Sequence, residues 1–152
     1  MTTPPSIDLQ AAHRFFAAHC FNAAWELMEE SERTPEDDRA MEALCQASIY
    51  HWAQRDDCAP QNLSVGYWQA SRVAALLGRP AEARRHAEAC RAYAEGLAPF
   101  YLGYAYEALA RAARLDGNLR TAEEHLATAR GYAALVTDPS ERVLLEGDLE
   151  RP

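Results

Sequence analysis

Two stretches of this chain, one beginning at Tyr67 and the other at Tyr106, echo each other in step, and no other feature restricts its fold so tightly. Tyr67, Ala70, Ala74, Leu76, Gly78, Ala83 and His86 stand in register with Tyr106, Leu109, Ala113, Leu115, Gly117, Ala122 and His125. Aromatic, small, apolar and glycine positions recur together, which is the mark of a repeated supersecondary unit. The repeated unit is a helical hairpin, so the sequence predicts hairpins stacked one on the next. Such stacks build extended surfaces that hold other molecules.

Composition agrees with helix. The 152 residues include 31 alanines and only six valines or isoleucines, a balance that disfavours a β core. One domain of this length buries most of its apolar surface without staples. No apolar run approaches the roughly 18 to 20 residues that cross a bilayer, so no membrane partner is expected. Met1 to Pro5 lack the basic and apolar regions of a signal peptide, and the expected location is cytoplasmic. Cys20, Cys45, Cys58 and Cys90 are scattered, without a C-x-x-C pair, and are expected as reduced thiols.

All fifteen basic residues are arginine, a bias of the kind that GC-rich bacterial genomes produce. Residues 1–60 carry eleven acids against four arginines, and the rest carries twelve against eleven. The formal net charge of −8 therefore sits almost wholly in the first part, which argues against a nucleic-acid partner.

Seven helices account for the pattern. The first is expected over about 8–30, with Ser6 as cap, on the stepping of Leu9, Ala12, Phe16, His19, Ala23 and Leu27. Thr34-Pro35-Glu36-Asp37 announces the second, to about Arg55, with a hydroxyl cap, a proline in the first helical position and acids in the first turn. Residues 56–62 form the longest internal break. The third helix spans about 64–77 and stops at Gly78. The fourth spans about 80–95, the fifth 99–115 and the sixth 119–135. A short seventh, near 139–149, offers Val143, Leu144 and Leu145 to cover the open end of the stack.

With these residues in view, the third to sixth helices resemble the tetratricopeptide repeat. Its pattern is matched by Tyr67, Ala70, Ser71, Ala74, Gly78, Ala83, Ala87 and Cys90, and again by Tyr106, Leu109, Ala110, Ala113, Gly117, Ala122, Leu126 and Ala129. The resemblance covers just under half of the chain. The unit here is longer than the family's, the excess falling in the longer helices and the Gly96–Pro99 turn, and residues 8–55 lack the turn glycine. The fold expectation is a single all-α domain over residues 1–152, a right-handed α-α superhelix of about seven antiparallel helices. Within it fall a degenerate hairpin (8–55), two repeat units (64–95 and 99–135) and a capping helix (139–149).

The resemblance further implies that the first helix of each unit lines a concave face, carrying Val65, Trp68, Arg72 and Ala75 and then Tyr104, Glu107, Arg111 and Arg114. The expected function is non-enzymatic binding of a protein or peptide bearing an acidic group, with arginine forks for the carboxylate and aromatic rings for contact area. Against this stands the plain reading in which Trp68 packs and Arg111 is spent on Glu107, one helical turn before it.

A second segment, Ser48 to Arg55, supplies His51 and Trp52. These, with Trp68 and Arg72, form the alternative: a small-molecule pocket or an unrecognised enzyme. In the plain reading Trp52 packs, His51 makes a buried hydrogen bond and Arg55 caps carbonyls. A third reading joins two copies through the apolar ends of the stack or through a tyrosine-rich face of Tyr101, Tyr104 and Tyr106. No catalytic residue, cofactor or metal is assigned. His86 and Cys90 share a helical face but lack a third ligand, and His13 and His19 point in different directions from one helix. No phosphate loop, nucleophile elbow or H-E-x-x-H occurs.

Overall fold

A computed structural model describes residues 6–151. Met1 to Pro5, on which the expectation about a signal peptide rests, lie outside the described residues. The fold is all-α, with seven helices and no strand among the described residues: α1 (Leu9–Glu29), α2 (Pro35–Gln54), α3 (Pro60–Leu76), α4 (Pro80–Ala94), α5 (Pro99–Leu115), α6 (Leu119–Leu135) and α7 (Pro139–Leu149). Among the described residues, no helix is long and apolar enough to cross a membrane. The chain forms two compact units that meet in sequence between Cys58 and Ala59.

Proline in the first turn opens five of the seven helices, where its missing N–H is not needed and its fixed φ suits the helix. Two boundaries differ from expectation. The cap of α1 is Asp8, not Ser6: its carboxylate accepts from the Ala11 amide at 3.0 Å. Helix α3 begins at Pro60 rather than near Ser64, because the Asn62 side chain accepts from the Ala59 amide at 2.9 Å and closes the entry. The break expected over 56–62 shrinks to 55–59.

In the first unit α1 packs against α2. Ala17 and Ala24 on α1 are fully buried, and Met41, Cys45 and Ile49 on α2 are buried as well. The buried Ser48 hydroxyl donates to the Ala17 carbonyl at 2.8 Å, a polar tie that only a small residue opposite permits.

In the second unit two hairpins, α3–α4 and α5–α6, pack in succession, with α5 touching α3, α4, α6 and α7. Alanine lines the contacts: Ala83, Ala87 and Ala94 on α4 meet Ala105, Ala108 and Ala112 on α5. The sequence echo has a direct physical counterpart. Tyr67 stacks on Tyr93 at 5.7 Å and lies 6.0 Å from His86, while Tyr106 stacks on Tyr132 at 5.8 Å and lies 5.8 Å from His125. Both hairpins turn on the same stop. Gly78 and Gly117 have φ of 72° and 77°, and the next residue's amide reaches back to Ala74 and Ala113 at 2.9 Å each.

Helix α7 closes the end of this unit with Leu145 and Leu149, both buried. Val143 and Leu144, expected to share that work, are exposed. Gly103 makes room for the seat: a Cβ there would fall 2.5 Å from the Leu145 side chain.

The turn glycines set the sign of two substitutions. Gly78→Ala and Gly117→Ala should each lower stability by about 1–2 kcal/mol, since both glycines hold a left-handed conformation. Gly131→Ala, within α6 and with open space around it, should raise stability by up to about 1 kcal/mol. Urea midpoints at constant slope check both signs.

Burial pushes the Cys45 thiol up to about 12 and the Cys90 thiol up to about 11. In the unfolded chain a thiol ionises near 8.5. The folded state thus holds its protons longer: this contribution is complete below about pH 8.5 and drains away as pH rises toward 11. Cys90→Ala, the residue found at the equivalent Ala129, should flatten the alkaline fall in stability, measured by urea unfolding across that window.

Candidate functional site

The residues expected on the inner helices of the two repeats do come together, on α3 and α5. The Trp68 and Tyr104 rings meet edge to face at 5.4 Å, and the Arg72 guanidinium lies 5.5 Å over the Trp68 ring. The Trp68 indole N–H donates to Glu107 Oε2 at 2.8 Å, and Arg111 donates to Glu107 Oε1. Trp68 and Glu107 occupy equivalent positions of the two repeats, so this bond ties one repeat to the next.

Glu107 differs in role from the groove-lining residue that the repeat pattern implied. It is 2 % exposed and both carboxylate oxygens are taken, so it anchors Trp68 and Arg111 from beneath. Burial pushes its carboxyl up, opposed by the Arg111 guanidinium and the Trp68 bond, and burial draws the Arg111 guanidinium down. The Tyr104 hydroxyl donates to Asp148 Oδ2 at 2.7 Å, and burial together with that carboxylate raises its pKa. Phe100, one turn before Tyr104, meets its ring edge to face at 5.1 Å.

Beyond the aromatic rings, a recess of about 300 Å³ is lined by Arg72, Arg111, Arg114 and Arg151, with Leu76 and Leu115 between them. Arg114 reaches Glu123 at 3.4 Å. Arg111 Nη1 and Arg114 Nε are buried with no hydrogen-bond partner among the described residues. Convergent guanidinium groups with unused donors suit an oxyanion, and a planar carboxylate best. A larger recess, of about 420 Å³, spans α4, α5 and α6. Its charges are mixed, with Arg84 placed 3.9 Å from Glu88, so it favours neither sign.

His51 and Trp52 lie in the first unit, and Trp68 and Arg72 in the second. His51 Nδ1 sits 2.8 Å from His13 Nδ1, and burial together with the neighbouring imidazole lowers the His51 pKa. Arg55 does not cap carbonyls: it lies 4.0 Å over the Trp52 ring and grips Asp57 through two bonds of 2.7 and 2.8 Å. His19 stacks on Phe15 at 5.2 Å, and the Cys90 thiol lies 3.5 Å from the Ser64 hydroxyl. No group of three or more metal-ligating side chains occurs among the described residues. Tyr101, Tyr104 and Tyr106 are all partly buried.

Four participants escape sequence reasoning. Asp148 and Arg151 arrive from α7 and the stretch beyond it, a tertiary placement with no periodic signal. His13 is distant from His51 along the chain and meets it only across the α1–α2 contact. Phe100 alone carries a usable signal, lying one helical turn from Tyr104.

Arg111→Ala would strand the Glu107 charge and should cost about 3 kcal/mol, the lower end for a broken buried pair because Arg111 keeps 16 % exposure. Adding Glu107→Gln removes the stranded charge, so the double variant should be the more stable of the two in chemical denaturation. No protein-family profile, curated protein or solved structure matches this chain.

Proposed function

We propose that the second unit is a non-enzymatic binding module of the tetratricopeptide-repeat type. It takes an extended peptide, or the tail of a partner protein, that carries at least one carboxylate. The ligand lies across the α3 and α5 face, with Trp68 and Tyr104 beside it and its acidic group in the arginine recess.

One observation carries this reading: four arginines share one recess, and two of their buried donors have no partner among the described residues. A buried donor left unsatisfied costs about 1–3 kcal/mol, which oxygens of a bound acid would recover. The chain as a whole is acidic, at −8, so this local excess of arginine selects for anionic ligands against the background charge. With every described element helical, backbone amides are already engaged, and recognition falls to side chains rather than to strand addition.

The test is a random peptide library selected on the folded protein, alongside Arg114→Gln/Arg151→Gln, which leaves the Arg111–Glu107 pair intact. Enrichment of peptides rich in aspartate or glutamate, lost in the variant, is the expected outcome. Enrichment of neutral or basic peptides, or acidic selection that survives in a variant with unchanged circular dichroism, overturns the proposal.

A further inference from the structure

Charge alone does not line the arginine recess. Leu76 is the last residue of α3 and Leu115 the last of α5, and both border the space that Arg72, Arg111, Arg114 and Arg151 surround. The two leucines keep 44 % and 42 % exposure. They hold equivalent positions of the two repeats, as do Arg72 and Arg111, so the combination of an arginine with a leucine is built twice.

Volume points the same way. The recess measures about 300 Å³. A water takes up about 30 Å³ in the liquid, so a carboxylate, the size of a few waters, leaves much of the space unfilled. An apolar group on the ligand would fill the remainder and cover both leucines.

Spacing says where on the ligand that group belongs. On each helix the leucine follows its arginine by four residues, which sets the two on one face about 6 Å apart along the axis. In an extended peptide, neighbouring side chains point to opposite faces, and alternate ones share a face at about 6.6–6.8 Å. The immediate neighbour of an acidic residue is therefore turned away from the recess. The residue two positions along is presented to it.

We infer that the recess recognises a two-part motif, an inference that rests on the acidic-ligand reading above. The motif is an aspartate or glutamate with an aliphatic or aromatic residue two positions away, in either order. The carboxylate meets the arginines, where Arg111 Nη1 and Arg114 Nε have no partner among the described residues, and the apolar side chain covers Leu76 and Leu115. The leucines thus determine specificity. A run of acids would lay a second carboxylate on them, desolvated and unpaired, so a uniformly acidic segment is disfavoured.

Short synthetic peptides in a serine–glycine background test this on the whole chain, titrated by NMR so that weak binding registers. Both peptide ends are blocked, so that no terminal carboxylate competes. One set holds glutamate and leucine two positions apart, in both orders; a second holds them adjacent; a third has serine in place of leucine. In at least one order, the two-apart peptide should bind about tenfold tighter than the adjacent and serine peptides, the scale of burying one aliphatic side chain. Leu76→Ser/Leu115→Ser should abolish that preference and keep the affinity for the serine peptide. The comparison among peptides on the unmutated chain decides the matter should the variant unfold. Equal binding of all three sets, or a preference that survives in the folded variant, overturns the motif and leaves the acidic-ligand reading standing. Failure of every glutamate peptide to bind removes that reading and the motif with it.

Discussion

Close approach of helix backbones is the constraint on which the second unit depends. Alanine faces alanine along the α4–α5 contact, with Ala83, Ala87, Ala105, Ala108 and Ala112 all buried. A contact built of methyl groups has little apolar area per residue, so its strength comes from many short-range dispersion contacts at high packing density. The larger side chains are thereby displaced to the flanks. They pack around these small-residue clusters as the repeated tyrosine–histidine–tyrosine stacks and as Trp68 and Tyr104.

The Glu107 carboxylate couples that packing to the candidate face. Buried charge is costly unless paired and hydrogen-bonded, and Glu107 has both an indole donor and a guanidinium partner. The arrangement holds Trp68 in one orientation and fixes one edge of Arg111, leaving the opposite nitrogen unsatisfied. A rigid aromatic wall beside unused donors is a preorganised surface, which loses little entropy when a ligand arrives. Polar ties of the same economy recur elsewhere, as in the Ser48–Ala17 bond in the first unit and the Ser71–Ala83 bond in the second, both 2.8 Å.

Residue by residue, helix ends are most legible where a local chemical rule acts. Pro80, Pro99 and Pro139 open helices where expected, and Gly78 and Gly117 stop them. The start of α3 is harder to place because Asn62 acts as a cap partner from inside the helix, a reciprocal bond that the run of polar residues hides. Hydrophobicity alone would give the end seal to Val143 and Leu144, whereas the space left at Gly103 is taken by Leu145, which is buried together with Leu149.

From the chain of letters alone come the all-helical class, the pairing into hairpins, the repeat spacing and the set of side chains that share a face on α3 and α5. These are properties of helical period and turn chemistry, which act over a few residues and are written locally. Tertiary structure alone decides that Glu107 lies beneath Trp68, that Asp148 and Arg151 join the face from α7 and the stretch beyond it, and that His13 meets His51. Each of those depends on the approach distance and rotation of one helix against another, quantities summed from many small contacts that no single stretch of sequence encodes.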